Sequence, residues 1–148
     1  MAGTKGSATA RGTRRGAAAA ADVAAGEDGP VRLNLVVVRG TCSGPPELRE
    51  LESGRRLAAV AVRAPGPDGR TTSVPVTVWE PAAWVEGLED GVDLVIVGAV
   101  RRRFFQTGGG GAGARVDVEA VFVGRAGRRR DLDAARRRTE EVLTGLME

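Results

Sequence analysis

Residues 71–100, TTSVPVTVWEPAAWVEGLEDGVDLVIVGAV, contain the order of elements that decides the fold. Every second residue from Val74 to Val78 is valine, with small or polar residues between them, which predicts a strand with one apolar face. Pro81 at a helix-opening position and Gly91 as a stop predict a short helix. The apolar run that begins at Val92 predicts the next strand, VDLVIVGAVRRRFF.

Three further runs of β-forming residues flank this segment, and each of them predicts a strand. They are residues 31–42 (VRLNLVVVRGTC), 55–64 (RRLAAVAVRA) and 114–124 (ARVDVEAVFVG). The alternation in the last run predicts one face formed by Val116, Val118, Ala120 and Phe122. The turn signature PGPDGR joins residues 55–64 to the strand at 71–79, whereas residues 46–54 (PELRELESG) predict a loop or one short helical turn.

Three strands, a short helix and two more strands form the element order of the OB-fold, a five-stranded Greek-key barrel. We therefore predict an all-β domain over residues 30–124, with the helix between its third and fourth strands. Residues 1–29 contain no large apolar residue except Val23 and predict a disordered low-complexity tail. Residues 125–148 predict a basic helical segment that begins at about Asp131.

The composition excludes most catalytic and metal sites. The chain has no histidine and one cysteine, Cys42, so the usual zinc sites, Ser-His-Asp triads and disulfides within the chain are absent. Cys42 is predicted to be a small, buried apolar residue. The prediction is therefore a binding protein without a cofactor, not an enzyme. No run of about 18 apolar residues indicates a membrane span, which favours a cytoplasmic location.

The net charge of +3 conceals an electrically neutral domain. Residues 31–124 contain eleven arginines and eleven acidic residues, whereas residues 125–148 contain seven arginines and five acidic residues. A neutral domain gives weak support for nucleic-acid binding, so local clustering has to support that prediction. The clearest cluster is GAVRRRFFQT, residues 98–107, which spends two of the chain's five aromatic residues side by side.

Alternation along this cluster separates its side chains into two sets. Because Val100 is predicted to point inward, Phe104, four residues later, is predicted to lie in the core. Trp84 of the short helix is also predicted to lie in the core. Arg101, Arg103 and Phe105 then point outward on one face. Cationic and aromatic side chains exposed together form the surface that a sequence-tolerant binder of single strands needs.

The sequence resembles the bacterial single-stranded DNA-binding protein family over about residues 31–124. Asn34–Gly40 (NLVVVRG) is similar to the run with which that family opens its domain, and residues 46–49 (PELR), followed by Ser53 and Gly54, are similar to its next signature. Residues 74–79 (VPVTVW) and 94–103 (LVIVGAVRRR) are similar to the third and fourth strands of the family. Arginine greatly outnumbers lysine, which suggests a GC-rich genome, and the resemblance is to a divergent, actinobacterial-type member of the family.

The resemblance implies single-stranded DNA binding, accessory to replication, recombination or repair, with RNA as another ligand that an OB-fold can take. In that family, bases stack on exposed aromatic residues while basic residues follow the phosphates. The nucleic-acid-binding residues that the resemblance and the alternation imply are Trp79, Phe105, Arg101, Arg103, Arg63 and Arg115. The resemblance further implies a homo-oligomer formed through the first strand and a nucleoid-associated location in the cytoplasm.

Two departures from the family keep an alternative function open. Ser73 stands where the family usually has a stacking tryptophan, and the turn PGPDGR is shorter than the family's DNA-wrapping finger. The alternative is an OB-fold protein-interaction module that has lost nucleic-acid binding, in which Trp79 and Phe105 cover a barrel end or a protein interface. The arginines at 128–130 and 136–138 either add phosphate contacts or form the charged face of a surface helix.

Overall fold

The computed structural model describes residues 32–106 and 109–147 of the chain. The predicted tail at residues 1–29 therefore lies outside the described residues. Within the described part, the elements in chain order are the strands and helices β1 (Val36–Cys42), β2 (Glu47–Glu50), β3 (Arg56–Pro65), β4 (Thr71–Trp79), α1 (Ala83–Glu86), β5 (Asp93–Gln106), β6 (Ala112–Arg125) and α2 (Arg129–Met147).

Five of the strands close into a barrel. Their hydrogen-bonded order is β1-β5-β6-β4-β3, and β3 pairs back to β1 through Thr41↔Arg63 and Cys42↔Val62. All of these pairings are antiparallel except the one between β4 and β6, which is parallel. This is the Greek-key closure of an OB-fold. The predicted five-stranded barrel, with a short helix before β5 and a C-terminal helix, is confirmed.

Four residues of the segment 46–54, which was predicted as a loop or one helical turn, form a short strand instead, while residues 51–54 form a turn. Residues Glu47–Glu50 form β2, which pairs with β3 from Glu47↔Ala59 to Glu50↔Arg56. The prediction was wrong because ELRE carries the charges of a solvated loop, and all four of its residues are exposed. Charged side chains are also what protects an edge strand from pairing with another chain, so this composition fits a sheet edge.

Valines and small residues fill the barrel because they alternate along the strands. The core cluster consists of Cys42, Ala58, Val60, Val62, Val76, Val78, Val85, Leu88, Leu94, Ile96 and Val118. Helix α1 supplies Val85 to one end of this core, and Leu88 follows from the turn after it. The prediction that Cys42 is buried is confirmed, since its exposure is 0%. Trp84 packs against the core but is only half-buried, and the guanidinium of Arg125 stacks 4.5 Å from its ring centroid.

A β-bulge in β6 changes which residues face the barrel core. Val97 pairs with Phe122 and Gly98 pairs with Ala120, so the register skips Val121. The predicted single apolar face from Val116 to Phe122 is therefore wrong, because one extra residue reverses the alternation. Phe122 packs outside the barrel, in a second apolar cluster with Val95, Val97, Leu35 and three residues at the C-terminal end.

Helix α2 covers this second cluster. Leu132 and Ala135 pack against it, and the Arg138 guanidinium donates to the carbonyl oxygen of Val121 at 3.3 Å. The Arg125 backbone N–H donates to a carboxylate oxygen of Asp131 at 2.8 Å, which ties the first turn of the helix to the end of β6. Neither helix in the described residues has the length and apolarity that a membrane crossing requires.

The β5–β6 hairpin extends past the closed barrel. Both strands are 14 residues long, and they remain paired as far as Gln106↔Ala112. Val100 is 46% exposed, although it pairs with the core residue Val118, and Phe104 is 75% exposed. The prediction that Phe104 belongs to the core is therefore wrong, whereas Val100 lies on the same face as Val118, as predicted, but is not buried. Both residues alternate as core residues do, but the part of the hairpin that contains them extends beyond the core.

Candidate nucleic-acid interface

The side chains opposite the core on β3, β4, β5 and β6 form one surface, which we call the outer face. Cross-strand pairs place its members side by side, because residues in register on neighbouring strands share a face. The pairs that define it are Leu57↔Trp79, Ala59↔Thr77, Ala61↔Pro75, Arg63↔Ser73, Arg101↔Asp117 and Arg103↔Arg115. The outer face thus brings together five of the six predicted interface residues.

Phe105 is the sixth predicted residue. Its backbone continues β5 and pairs with Gly113, so its position follows the same alternation as Arg101 and Arg103. Its side chain lies outside the part of the chain that the structure describes. The prediction that Phe105 stacks with a base therefore stays a prediction.

Trp79 ends β4 and lies half-buried on the outer face. The Arg55 guanidinium stands 4.0 Å from the centroid of its ring, and that of Arg103 stands 5.9 Å away. A cation over an indole ring is attracted by the negative face of the ring. In the free protein, therefore, one approach to the Trp79 ring is occupied by a guanidinium group.

Glu80 fixes the strand end next to this ring. Its φ of 48° is in the left-handed region, which non-glycine residues rarely adopt. The Glu80 N–H donates to the carbonyl oxygen of Arg56 at 2.8 Å, and the Arg56 N–H donates to the Glu80 carboxylate at 3.1 Å. These two hydrogen bonds hold the unusual backbone in place, and with it the end of β4 that carries Trp79.

Arg103 joins a buried polar cluster at the centre of the outer face. Its Nε donates to Oδ2 of Asp117 at 2.8 Å, and the hydroxyl of Thr77 donates to the same oxygen at 2.7 Å. The Asp117 side chain is 1% exposed and that of Arg103 is 26% exposed. A charged hydrogen bond to a buried carboxylate is stronger than a neutral one, so Arg103 is held in position.

Two other predicted arginines are also paired with carboxylates. Arg101 donates to Glu119 at 2.8 Å, while Arg63 donates to the Ser43 hydroxyl at 3.1 Å and lies 3.6 Å from Asp90. Both guanidinium groups are exposed, and at exposed sites a single ion pair contributes about 0–1 kcal/mol. Such pairs can exchange for a phosphate, but they reduce the positive charge that the free surface presents.

Arg115 differs from the other predicted arginines. It is exposed, and among the described residues it has no carboxylate partner. It lines two neighbouring cavities on the outer face, so we describe them together as the groove. The first part of the groove has a volume of about 210 Å³ and is lined mainly by small residues, among them Ala59, Ala61, Pro75 and Thr77. Asp117 also lines this part, and Glu47 of β2 stands beside it.

The second part of the groove is larger and strongly cationic. Its volume is about 400 Å³, and its lining residues are Arg49, Arg103, Phe104 and Arg115. Phe104 is the most exposed large apolar side chain on the described surface, and the Arg102 guanidinium lies 5.2 Å from its ring centroid. The groove therefore runs from a floor of small side chains to a cationic part that Phe104 also lines.

Sequence reasoning missed three residues of this interface. Phe104 was assigned to the core by alternation, and only the length of the paired hairpin shows that it is exposed. Arg49 was placed in a loop, although it belongs to β2 and extends to the groove. Arg55 lies in the turn before β3, and no local pattern indicates that it stacks on Trp79.

The arginines of helix α2 are mostly engaged within the helix and at its base. Arg129 lies 3.7 Å from Asp133 and Arg136 lies 3.9 Å from Glu140, both at the i,i+4 spacing. Arg138 donates to β6, as described above. These contacts fit the charged face of a surface helix, which was one of the two readings that the sequence left open.

No family model and no curated protein matches the sequence. Among solved structures, the chain is similar to the wild-type single-stranded DNA-binding protein from Thermus aquaticus, with a TM-score of 0.53 and 25% identity over 65% of this chain. It is also similar to the dimeric N-terminal domain of the PriB protein from Thermoanaerobacter tencongensis, with a TM-score of 0.50 and 18% identity over 63% of this chain. The fold is shared.

The sequence identity and the share of each chain that is matched determine what these similarities show. This chain covers 96% of the PriB domain, but the low identity makes that likeness one of fold alone. It spans about two fifths of the Thermus aquaticus protein, 41% of its length. The predicted OB-fold is thus confirmed by solved structures, and the ligand of this chain is a separate inference from its own surface.

Proposed function

We propose that this protein binds single-stranded DNA in the groove of its outer face, without catalysing a reaction. The observation that supports this most directly is the second part of the groove, which the exposed residue Phe104 lines together with Arg49, Arg103 and Arg115. Binders of single strands combine aromatic rings that stack with bases and cations that follow the phosphates. The Thermus aquaticus protein with the same fold is a single-stranded DNA-binding protein, which supports the same ligand here.

In this proposal, one base stacks on Phe104 and another on Trp79 after Arg55 has moved aside. Arg55, Arg102 and Arg115 have no carboxylate partner among the described residues and are the first candidates for phosphate contact. Arg101, Arg63 and Arg103 contribute less, because acidic groups already neutralise them. Phe105 remains a proposed further platform at the end of the same strand.

The proposal extends to assembly through the first strand. The segment Val36–Gly40 of β1 pairs with β5 on one side, whereas β1 pairs with β3 only at Thr41 and Cys42. Among the described residues, nothing pairs with the other edge of this segment, which can therefore take a second copy, since an unpaired strand edge is a template for pairing. The PriB domain of the same fold is dimeric. The proposal includes an accessory role in replication, recombination or repair, at the nucleoid in the cytoplasm. It also includes membership of an actinobacterial type of single-stranded DNA-binding protein.

A titration of a labelled dT oligomer of about 16 nucleotides, followed by fluorescence anisotropy at several salt concentrations, tests the proposal. Binding through two or three phosphate contacts predicts a log–log salt slope of about −1.4 to −2. Phe104→Ala should weaken binding about fivefold or more, because base stacking contributes about 1–3 kcal/mol. The matched control is Val142→Ala, which removes an exposed apolar side chain of helix α2 that lines neither the groove nor the cavity beside Trp79 and should leave binding unchanged.

One observation favours a second function, a protein-interaction module. Carboxylates neutralise three predicted phosphate-binding arginines, and Arg55 covers Trp79. That function predicts no oligomer binding at any salt concentration, together with a change of assembly in Phe104→Ala. Competition by folded RNA or duplex DNA, added to the same titration, distinguishes RNA as the ligand.

A further inference from the structure

The groove contains a buried carboxylate whose hydrogen bonding is incomplete. Both Thr77 and the Nε of Arg103 donate to Oδ2 of Asp117. Among the described residues, neither the second carboxylate oxygen, Oδ1, nor the Nη2 of Arg103 has a hydrogen-bond partner, and both atoms are buried. An unpaired acceptor and an unpaired donor thus lie within one linked pair of side chains.

This incompleteness is costly for a purely structural pair. Leaving a buried polar group unpaired costs free energy, and the cost is larger when the group is charged. A buried ion pair stabilises a fold only when further hydrogen bonds satisfy its remaining atoms. Asp117 also lines the first part of the groove, and Arg103 lines the second part. A base in the groove can complete these hydrogen bonds once the side chains that cover the two buried atoms move aside.

We propose that Asp117 and Arg103 form a subsite that reads the edge of a nucleobase and prefers bases with an exocyclic amino group over thymine. Arg103 Nη2 would donate to an acceptor on the base edge, and Asp117 Oδ1 would accept from the amino group beside it. This inference rests on the proposed single-strand binding and adds a base preference to it.

The chemistry of the ligand follows from the charges of the groove. An ionised carboxylate accepts hydrogen bonds only, so Asp117 repels a phosphate and favours N–H groups. Acceptance by Asp or Glu from the N4 amino group of cytosine is a known base contact. In thymine, the single N–H stands between two carbonyl oxygens, so a carboxylate facing it meets like-charged atoms on both sides. Arg115 remains for the phosphates, and Arg49 joins it if its exposed ion pair with Glu47, at 3.5 Å, exchanges for a phosphate.

The first test compares oligo-dC with oligo-dT of equal length on the wild-type protein, at mildly alkaline pH. We expect oligo-dC to bind about five- to tenfold more tightly, the lower part of the range for one good base contact. An oligomer of 2-pyrimidinone, which is cytosine without its amino group, should lose this advantage. This comparison needs no variant, so it holds even if changes at Asp117 impair folding.

Asp117→Asn tests the residue, with Glu119→Gln as the matched control. Both variants remove one negative charge from the same strand and the same outer face, so both should strengthen phosphate binding alike. Asp117→Asn should also abolish the preference for oligo-dC, whereas Glu119→Gln should retain it. Equal binding of oligo-dC and oligo-dT by the wild type, or a preference that survives in Asp117→Asn, overturns the subsite. Failure of every oligomer to bind overturns the proposed function itself.

Discussion

Replacing Arg55 with alanine should change single-strand binding in opposite directions at low and at high salt. In the free protein the Arg55 guanidinium stands 4.0 Å from the Trp79 ring centroid, so a base that stacks there has to displace it. A cation–π contact at an exposed site contributes about 0.5–1 kcal/mol. Removing this competitor should therefore tighten binding about two- to fivefold, apart from the effect of charge.

The loss of charge acts against this gain. One phosphate contact fewer makes the log–log salt slope of a single-strand binder shallower by about 0.7, or about fivefold over a tenfold change in salt. The two effects are similar in size, so their sum changes sign within an accessible salt range. Arg55→Ala should bind oligo-dT as well as or more weakly than the wild type at low salt, and more tightly at high salt.

Fluorescence anisotropy of a labelled oligomer measures this crossing, because its signal does not include the intrinsic fluorescence of Trp84. Arg70→Ala is the matched control, because Arg70 is 90% exposed in the β3–β4 turn and lies 3.8 Å from one carboxylate, that of Asp68. The control should lose affinity at low salt and gain none at high salt. If Arg55→Ala parallels the control at every salt concentration, then Arg55 does not compete with a base for Trp79.

Two further predictions concern stability. Gly98→Ala should lower the free energy of unfolding by about 2–3 kcal/mol, because its Cβ would lie 2.3 Å from the backbone oxygen of Glu119. Urea denaturation measures this change. The control Gly109→Ala, which has open space around its Cβ, should change the free energy of unfolding by no more than about 0.5 kcal/mol. Burial foremost raises the pKa of Cys42 above its ordinary 9.0, so the folded state retains the thiol proton and stability should fall as the pH rises above about 9. Cys42→Ala should flatten this fall in alkaline denaturation curves, and an unchanged pH profile would contradict the assignment.

The barrel strands could be predicted because their signals are local. Residues 71–79 were predicted as a strand, and β4 has these bounds. The alternation of valine fixes its faces, while the Asp68-Gly69 turn, where Gly69 has a φ of 83°, fixes its start. The C-terminal helix was likewise predicted within two residues of its first residue, Arg129. In both cases a few neighbouring residues contain the whole signal.

The parts that could not be predicted depend on contacts between distant residues. The bulge at Val121 exists only relative to the register of β5, and alternation within β6 alone gives the wrong face for Phe122. The exposure of Phe104 depends on where the barrel ends, not on its neighbours in the sequence. The stacking of Arg55 on Trp79 joins residues 24 positions apart, and no spacing rule indicates it.

Because of the extra residue at Val121, the two halves of β6 present their side chains to two different surfaces. Up to Glu119, odd-numbered positions lie on the outer face, whereas from Phe122 onward even-numbered positions pack toward the terminal helix. Substitutions on one of these two surfaces can therefore leave the other unchanged. Deletion of Val121 would turn every side chain on one side of it to the opposite face of the strand. A chain that keeps both surfaces therefore has to keep the extra residue.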